Sequence, residues 1–155
     1  MQAAIPARPI RAGFTLVELM IALAIMAILA AVAWPSLQEA IQKSRRADAM
    51  SALAIIMQAQ ERWRANNPGY QTTLADLPGA VATASPDRHY DLSLVVGSVN
   101  ATGYTARATA GSSSPQSADS RCQVLQVAVN GGNITYSSLA SGGAANAAPD
   151  PCWVR

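Results

Sequence analysis

From Phe14 to Trp34 the chain is apolar at every position except Thr15 and Glu18. At a 1.5 Å rise per residue this segment makes a helix roughly 30 Å long, the thickness of a bilayer's hydrocarbon core. Its ten Phe, Leu, Ile and Val side chains favour insertion by about 3–6 kcal/mol in total. An acid at the centre of such a span costs about 2.5–3.5 kcal/mol, and less near an end. The segment therefore inserts despite Glu18. An ionisable side chain held where Leu would serve marks a functional position.

Charge sharpens the orientation. Arg8 and Arg11 precede the apolar run with no acid beside them, and the other basic and acidic side chains balance, so the net charge of +2 belongs to this short tail. A basic tail ahead of an apolar span stays on the cytoplasmic side. The balanced remainder gives no global reason to expect a nucleic-acid partner. If the chain is exported, Cys122 and Cys152 are read as a disulfide, worth roughly 3–4 kcal/mol in the chain-entropy model, rather than as two unrelated buried thiols.

Helical spacing continues beyond the anchor. Leu37, Ala40, Ile41, Ala47, Met50, Leu53, Ala54 and Met57 recur at threes and fours, the stripe of an amphipathic helix. Lys43, Arg45, Arg46, Asp48, Glu61, Arg62 and Arg64 are assigned to its other faces. Pro35 falls inside this helix, where it removes one backbone hydrogen bond and is expected to bend it. "NNPG" at residues 66–69 stops the helix near residue 65. After a loop over residues 66–88 the period changes to two. "HYDLSLVV" puts Leu92, Leu94 and Val96 on one face, and "TGYTARATA", "CQVLQVAV" and "NITYS" read as further strands between Gly- and Ser-rich turns. The expected fold is α+β: an antiparallel meander over residues 89–137 packed on the C-terminal half of the long helix, followed by a tail over 138–155 pinned through Cys152.

"GFTLVELM", the apolar run and Pro35 together resemble the N-terminus of type IV pilins and their pseudopilin relatives. Tyr90 opening the first strand, the paired cysteines and the terminal Cys152–Trp153 are most similar to the PilE-type minor pilins of type IVa pili. The resemblance implies a cleaved leader (residues 1–13), a transmembrane and filament-core helix (14–34) and a periplasmic, later extracellular head (35–155). It implies that a prepilin peptidase cuts after Gly13 and methylates the new amine of Phe14, at a Gly whose missing side chain admits the enzyme. It also gives Glu18 a partner, the Phe14 amine of a neighbouring subunit, so that pairing two otherwise costly charges sets subunit register. The implied partners are other pilins, the peptidase, an inner-membrane assembly platform and the membrane itself. The implied role is structural, in pilus biogenesis, twitching motility or adhesion, with no cofactor and no enzyme activity.

Several rival readings are weaker. Ala31, Val32 and Ala33 form a signal-peptidase pattern, but the apolar stretch is too long and contains an acid. A plain membrane anchor leaves Glu18 without a purpose. Asp87, His89 and Asp91 alternate as metal ligands might, yet Leu92 and Leu94 place them toward solvent. Lys43, Arg45, Arg46, Arg62 and Arg64 could track DNA phosphates, although a solvated or subunit-facing helix surface explains them more simply. "NAT" at Asn100 and "NIT" at Asn133 match the glycosylation pattern by chance. A type II secretion pseudopilin and a DNA-receptor pilin of a competence system stand as functional alternatives.

Overall fold

The computed structural model describes residues 13–153. Arg8, Arg11 and most of the expected leader therefore lie outside the described residues. The chain divides into two compact units, Met1–Gln38 and Glu39–Arg155. Helix α1 (Leu16–Arg64) begins in the first and ends in the second.

Within the first unit every described side chain is exposed, including the apolar ones from Phe14 to Leu37. Thr15 starts the helix, its hydroxyl accepting the Glu18 N–H at 3.2 Å. Pro35 stands inside α1 and cannot donate to a carbonyl one turn back, while the neighbouring Ser36 hydroxyl donates to the Ala33 carbonyl at 2.9 Å.

The second unit holds the core. Four antiparallel strands, β1 (Tyr90–Leu94), β2 (Gly103–Ala110), β3 (Val124–Asn130) and β4 (Asn133–Leu139), form a meander in sequence order. Gly131 and Gly132, both at positive φ (56° and 84°), close the β3–β4 hairpin, the two-residue turn whose twist matches its strands. Short 3-10 turns occupy Leu74–Asp76 and Pro115–Ala118. The α1 residues Ala49, Ala52, Leu53, Ile56 and Ala59 pack against Tyr90, Leu92, Tyr104, Ala106, Leu125 and Val127.

This face is rotated from the expected stripe. Leu37, Ala40, Ala47 and Ala54 are exposed, and Met50 and Met57 only flank the core. Two polar residues lie on the buried face instead. Asp48 accepts from the Ser85 hydroxyl at 2.5 Å and from the Asp87 N–H at 3.1 Å. Gln60 accepts from the Gln71 N–H and donates to its carbonyl. Each satisfies loop backbone or hydroxyl groups that would otherwise be buried unpaired. Strand β1 also ends earlier than its alternation suggests. Val96 lies in the following turn, beside Gly97 at φ 76°, and is 98% exposed.

Gly103 is fixed by close approach, because a Cβ there would strike the carbonyl oxygen of Val129 on the neighbouring strand. That atom is backbone and cannot rotate away. Gly103→Ala is expected to cost about 1–3 kcal/mol as an overpacked site, read as a lower urea midpoint at unchanged slope.

Candidate functional site

The residues singled out from the sequence fall into a local group at the start of α1 and a dispersed set in the second unit. Among the described residues nothing lies within 4 Å of where a Gly13 side chain would project, and Phe14 beside it is 79% exposed. Glu18 lies in the first helical turn, three residues after Thr15. This is the Ser/Thr-x-x-Glu spacing of a capping box. A carboxylate there also faces the positive end of the helix dipole. The "TLVE" spacing is visible in the sequence; the Thr15 hydroxyl makes its half of the box to the Glu18 N–H, and the Glu18 carboxylate adds a favourable charge in the first turn.

The Cys122–Cys152 disulfide is formed. Beside it sits a polar cluster that lacks a sequence signature. Arg46, assigned above to a solvent face, is only 12% exposed and donates through Nε and Nη2 to the Asp119 carboxylate at 2.7 and 3.1 Å. Asp119 also accepts from Gln116 Nε2 at 2.8 Å and from the Cys122 N–H at 3.3 Å. The stretch "AGSSSPQSADS", read from sequence as a simple turn, thus contains a 3-10 turn with buried Ser114, Gln116 and Asp119. Burial pushes the nearby Tyr90 hydroxyl up to about 12, with the Asp119 charge adding to the rise. Burial likewise raises Tyr104, helped by Glu61, and raises Tyr70 with the same acid contributing. All three stay neutral at physiological pH and act as packing groups.

The other candidates disperse. Asp91 is exposed on β1, whereas Asp87 and His89 precede the strand. Among the described residues no group of three His, Cys, Asp or Glu side chains could hold a metal ion. Arg62 and Arg64 donate to the carbonyls of Pro78 and Pro68, and Arg64 also lies over the Tyr70 ring. Lys43 is exposed and Arg45 half-buried. Asn100 uses its side-chain oxygen to accept from the N–H groups of Thr102 and Gly103. Asn133 is exposed at the β3–β4 hairpin.

Two family models match the chain. One, described as the prokaryotic N-terminal methylation motif, covers residues 8–34. The other, described as type IV minor pilin ComP, DNA uptake sequence receptor, covers residues 35–126. The chain belongs to the type IV minor pilins. No curated protein matches it significantly.

For a type IV minor pilin, the exposed apolar start of α1 fits membrane anchoring before pilus assembly. Membership also implies assembly with other pilins and processing by prepilin peptidase. The second unit is the pilin α+β arrangement, a long helix on a four-stranded antiparallel sheet.

Proposed function

We propose that this pilin is made as a precursor anchored by residues 14–34, with residues 1–13 as a leader on the cytoplasmic side and residues 35–155 as a periplasmic head. Prepilin peptidase cuts between Gly13 and Phe14 and methylates the Phe14 amine. An inner-membrane platform then moves the subunit into an extracellular pilus. Glu18 pairs with the Phe14 amine of an adjacent subunit, and Pro35 bends the helix between anchor and head. The role is structural rather than enzymatic. The observation that carries this reading is the exposed apolar start of α1, residues 14–37, with an acid in its first turn directly after a Gly–Phe bond.

The test is the mature N-terminus. Intact mass and N-terminal sequencing of membrane-extracted protein are expected to give a chain starting at N-methylated Phe14. A chain starting at Trp34 would instead identify a Sec-cleaved protein.

The family description supports a second reading, DNA capture. Lys43, Arg62, Arg88 and Arg121 are exposed, whereas Arg46 is tied into an ion pair and Arg107 is hydrogen-bonded to Gln126. Charges on the surface of an otherwise balanced head favour a weak contact. Detergent-solubilised protein in a DNA shift assay decides it. A receptor gives a sequence-preferring shift that weakens steeply with salt, and a purely structural subunit gives none.

A further inference from the structure

The sheet has two edges, and loops cover them in different ways. At β1 the preceding loop runs alongside, with the Ser85 N–H donating to the Tyr90 carbonyl and the Leu92 N–H to Thr83. At β4 the cover is the tail that follows it. The Asn146 N–H donates to the Ser138 carbonyl at 3.0 Å, and an isolated bridge pairs Leu139 with Ala145. This cover is partial. Ser138 turns its carbonyl outward, so the two-residue ladder period turns the N–H and C=O of Ile134 and Tyr136 outward as well. No described residue pairs with those backbone groups.

A free edge invites another strand, and natural sheets block it with charge, proline or a bulge. Strand β4, "NITYSSL", carries no charge and no proline. Its Ile134 and Tyr136 are 47% and 50% exposed. The tail therefore blocks only the Ser138 end of this edge, and its apolar hold is confined to Trp153, whose ring lies 4.8 Å from that of Tyr136 between centroids, because the rest of "ASGGAANAAPDPCW" is mostly small residues and turns. What fastens it is the disulfide to the buried Cys122 and a small polar set. The Ser138 hydroxyl donates to Asp150 at 2.7 Å, Asn146 Nδ2 donates to the Ser138 hydroxyl at 2.7 Å and to the Arg121 carbonyl, and Trp153 Nε1 donates to the Ser137 carbonyl.

We propose that the tail over residues 140–153 is a redox-held strap: by occupying the outward carbonyl of Ser138 it denies β4 the two-fold pairing in which Ile134 meets Ser138 across Tyr136, and reduction of Cys122–Cys152 to two thiols by an external thiol or phosphine lifts it and opens β4 to the β4 of a second copy. An antiparallel β4–β4 contact is two-fold symmetric, so one self-complementary edge suffices. The absence of charge along β4 removes the like-charge repulsion that would forbid self-pairing. With export as proposed above, oxidation of the two thiols by exchange with an external disulfide, which takes up their two electrons and two protons, then becomes the step that makes the head safe at high local subunit concentration.

Full-length protein in detergent micelles, oxidised or held reduced by a phosphine, gives the test. Hydrogen exchange is expected to show the Ala140 and Asn146 amides exchanging at least tenfold faster after reduction, with β2 amides unchanged. Light scattering is expected to show a dimer only in the reduced sample. Ile134→Pro removes an outward N–H without touching the β3 ladder and should abolish that dimer. Ile134→Lys serves the same purpose should the proline variant fail to fold. Unchanged exchange in the tail on reduction overturns the gating, and so does simultaneous loss of β2 protection. A reduced protein that stays monomeric, or a dimer that both Ile134 variants retain, overturns β4 as the docking edge.

Discussion

Replacing Glu18 with Leu will leave the precursor processed and membrane-bound but deplete it from sheared pili. In the bilayer the substitution removes an insertion cost of about 1–3 kcal/mol, so the anchored subunit sits more comfortably in lipid. In the filament it leaves a neighbour's Phe14 amine buried without its carboxylate, a loss of about 3–5 kcal/mol for a fully buried pair. These effects have opposite signs, so fractionation separates them. Normal incorporation of processed Glu18→Leu protein would end the pairing proposal.

The helix start adds a complication that a second variant resolves. Glu18 sits three residues after Thr15, whose hydroxyl accepts its N–H, and an acid in a first turn gains about 0.3–1 kcal/mol from the dipole. Glu18→Leu therefore weakens the cap as well as the proposed pair. Gln is the other residue suited to this capping position, so Glu18→Gln keeps a polar side chain able to complete the cap and gives up only the dipole term of about 0.3–1 kcal/mol together with the charge. If capping is the whole role, Glu18→Gln incorporates normally; if pairing is the role, it fails almost as completely as Leu.

How much of this was legible in the sequence depends on how far apart the interacting residues lie. The existence of α1, its end before the Asn66–Gly69 stop and the order of four strands follow from local periodicity and turn chemistry, while β4 runs on to Leu139, past the expected start of the tail at residue 138. The motif behind the proposed cleavage and pairing site is local for the same reason, with Gly13, Phe14 and Glu18 falling within six consecutive positions. The buried helix face was not. Alanines at 47, 49, 52, 54 and 59 surround the helix, so the apolar period does not select among neighbouring faces. Asp48 and Arg46 are assigned from sequence to the helix's other faces, and Gln60 carries no signal of burial, because a polar residue is buried only with partners. Those partners, Ser85, Gln71 and Asp119, lie 37, 11 and 73 positions away. Nothing in a local window announces them. Val96 continues the alternation of β1 in sequence, yet the last ladder-like bond on that side is from the Val95 N–H to Thr105, after which Gly97 turns the chain.

Asp119→Ala is expected to be the most damaging single change in the head. Its carboxylate is 3% exposed and meets Arg46 through two hydrogen bonds, Gln116 through one and the Cys122 backbone through another. It therefore joins α1, the 3-10 turn and the disulfide at one point. Truncation strands the Arg46 guanidinium, itself only 12% exposed, and breaking a buried pair from one side costs about 3–5 kcal/mol. Small domains have about 5–15 kcal/mol of stability in all, so the variant should unfold at a far lower urea concentration, followed by the fluorescence of Trp63 and Trp153 in detergent-solubilised protein. Arg62→Ala, at an exposed position whose one hydrogen bond among the described residues is to the Pro78 carbonyl, should stay within about 0.5 kcal/mol of the parent. Removing both charges separates desolvation from architecture. If the stranded guanidinium is the main cost, Arg46→Met with Asp119→Leu will recover a large part of the loss, and what remains measures the bonds to Gln116 and Cys122. An Asp119→Ala protein with a parental urea midpoint would show that solvent reaches Arg46 freely and that the cluster does not hold the head together.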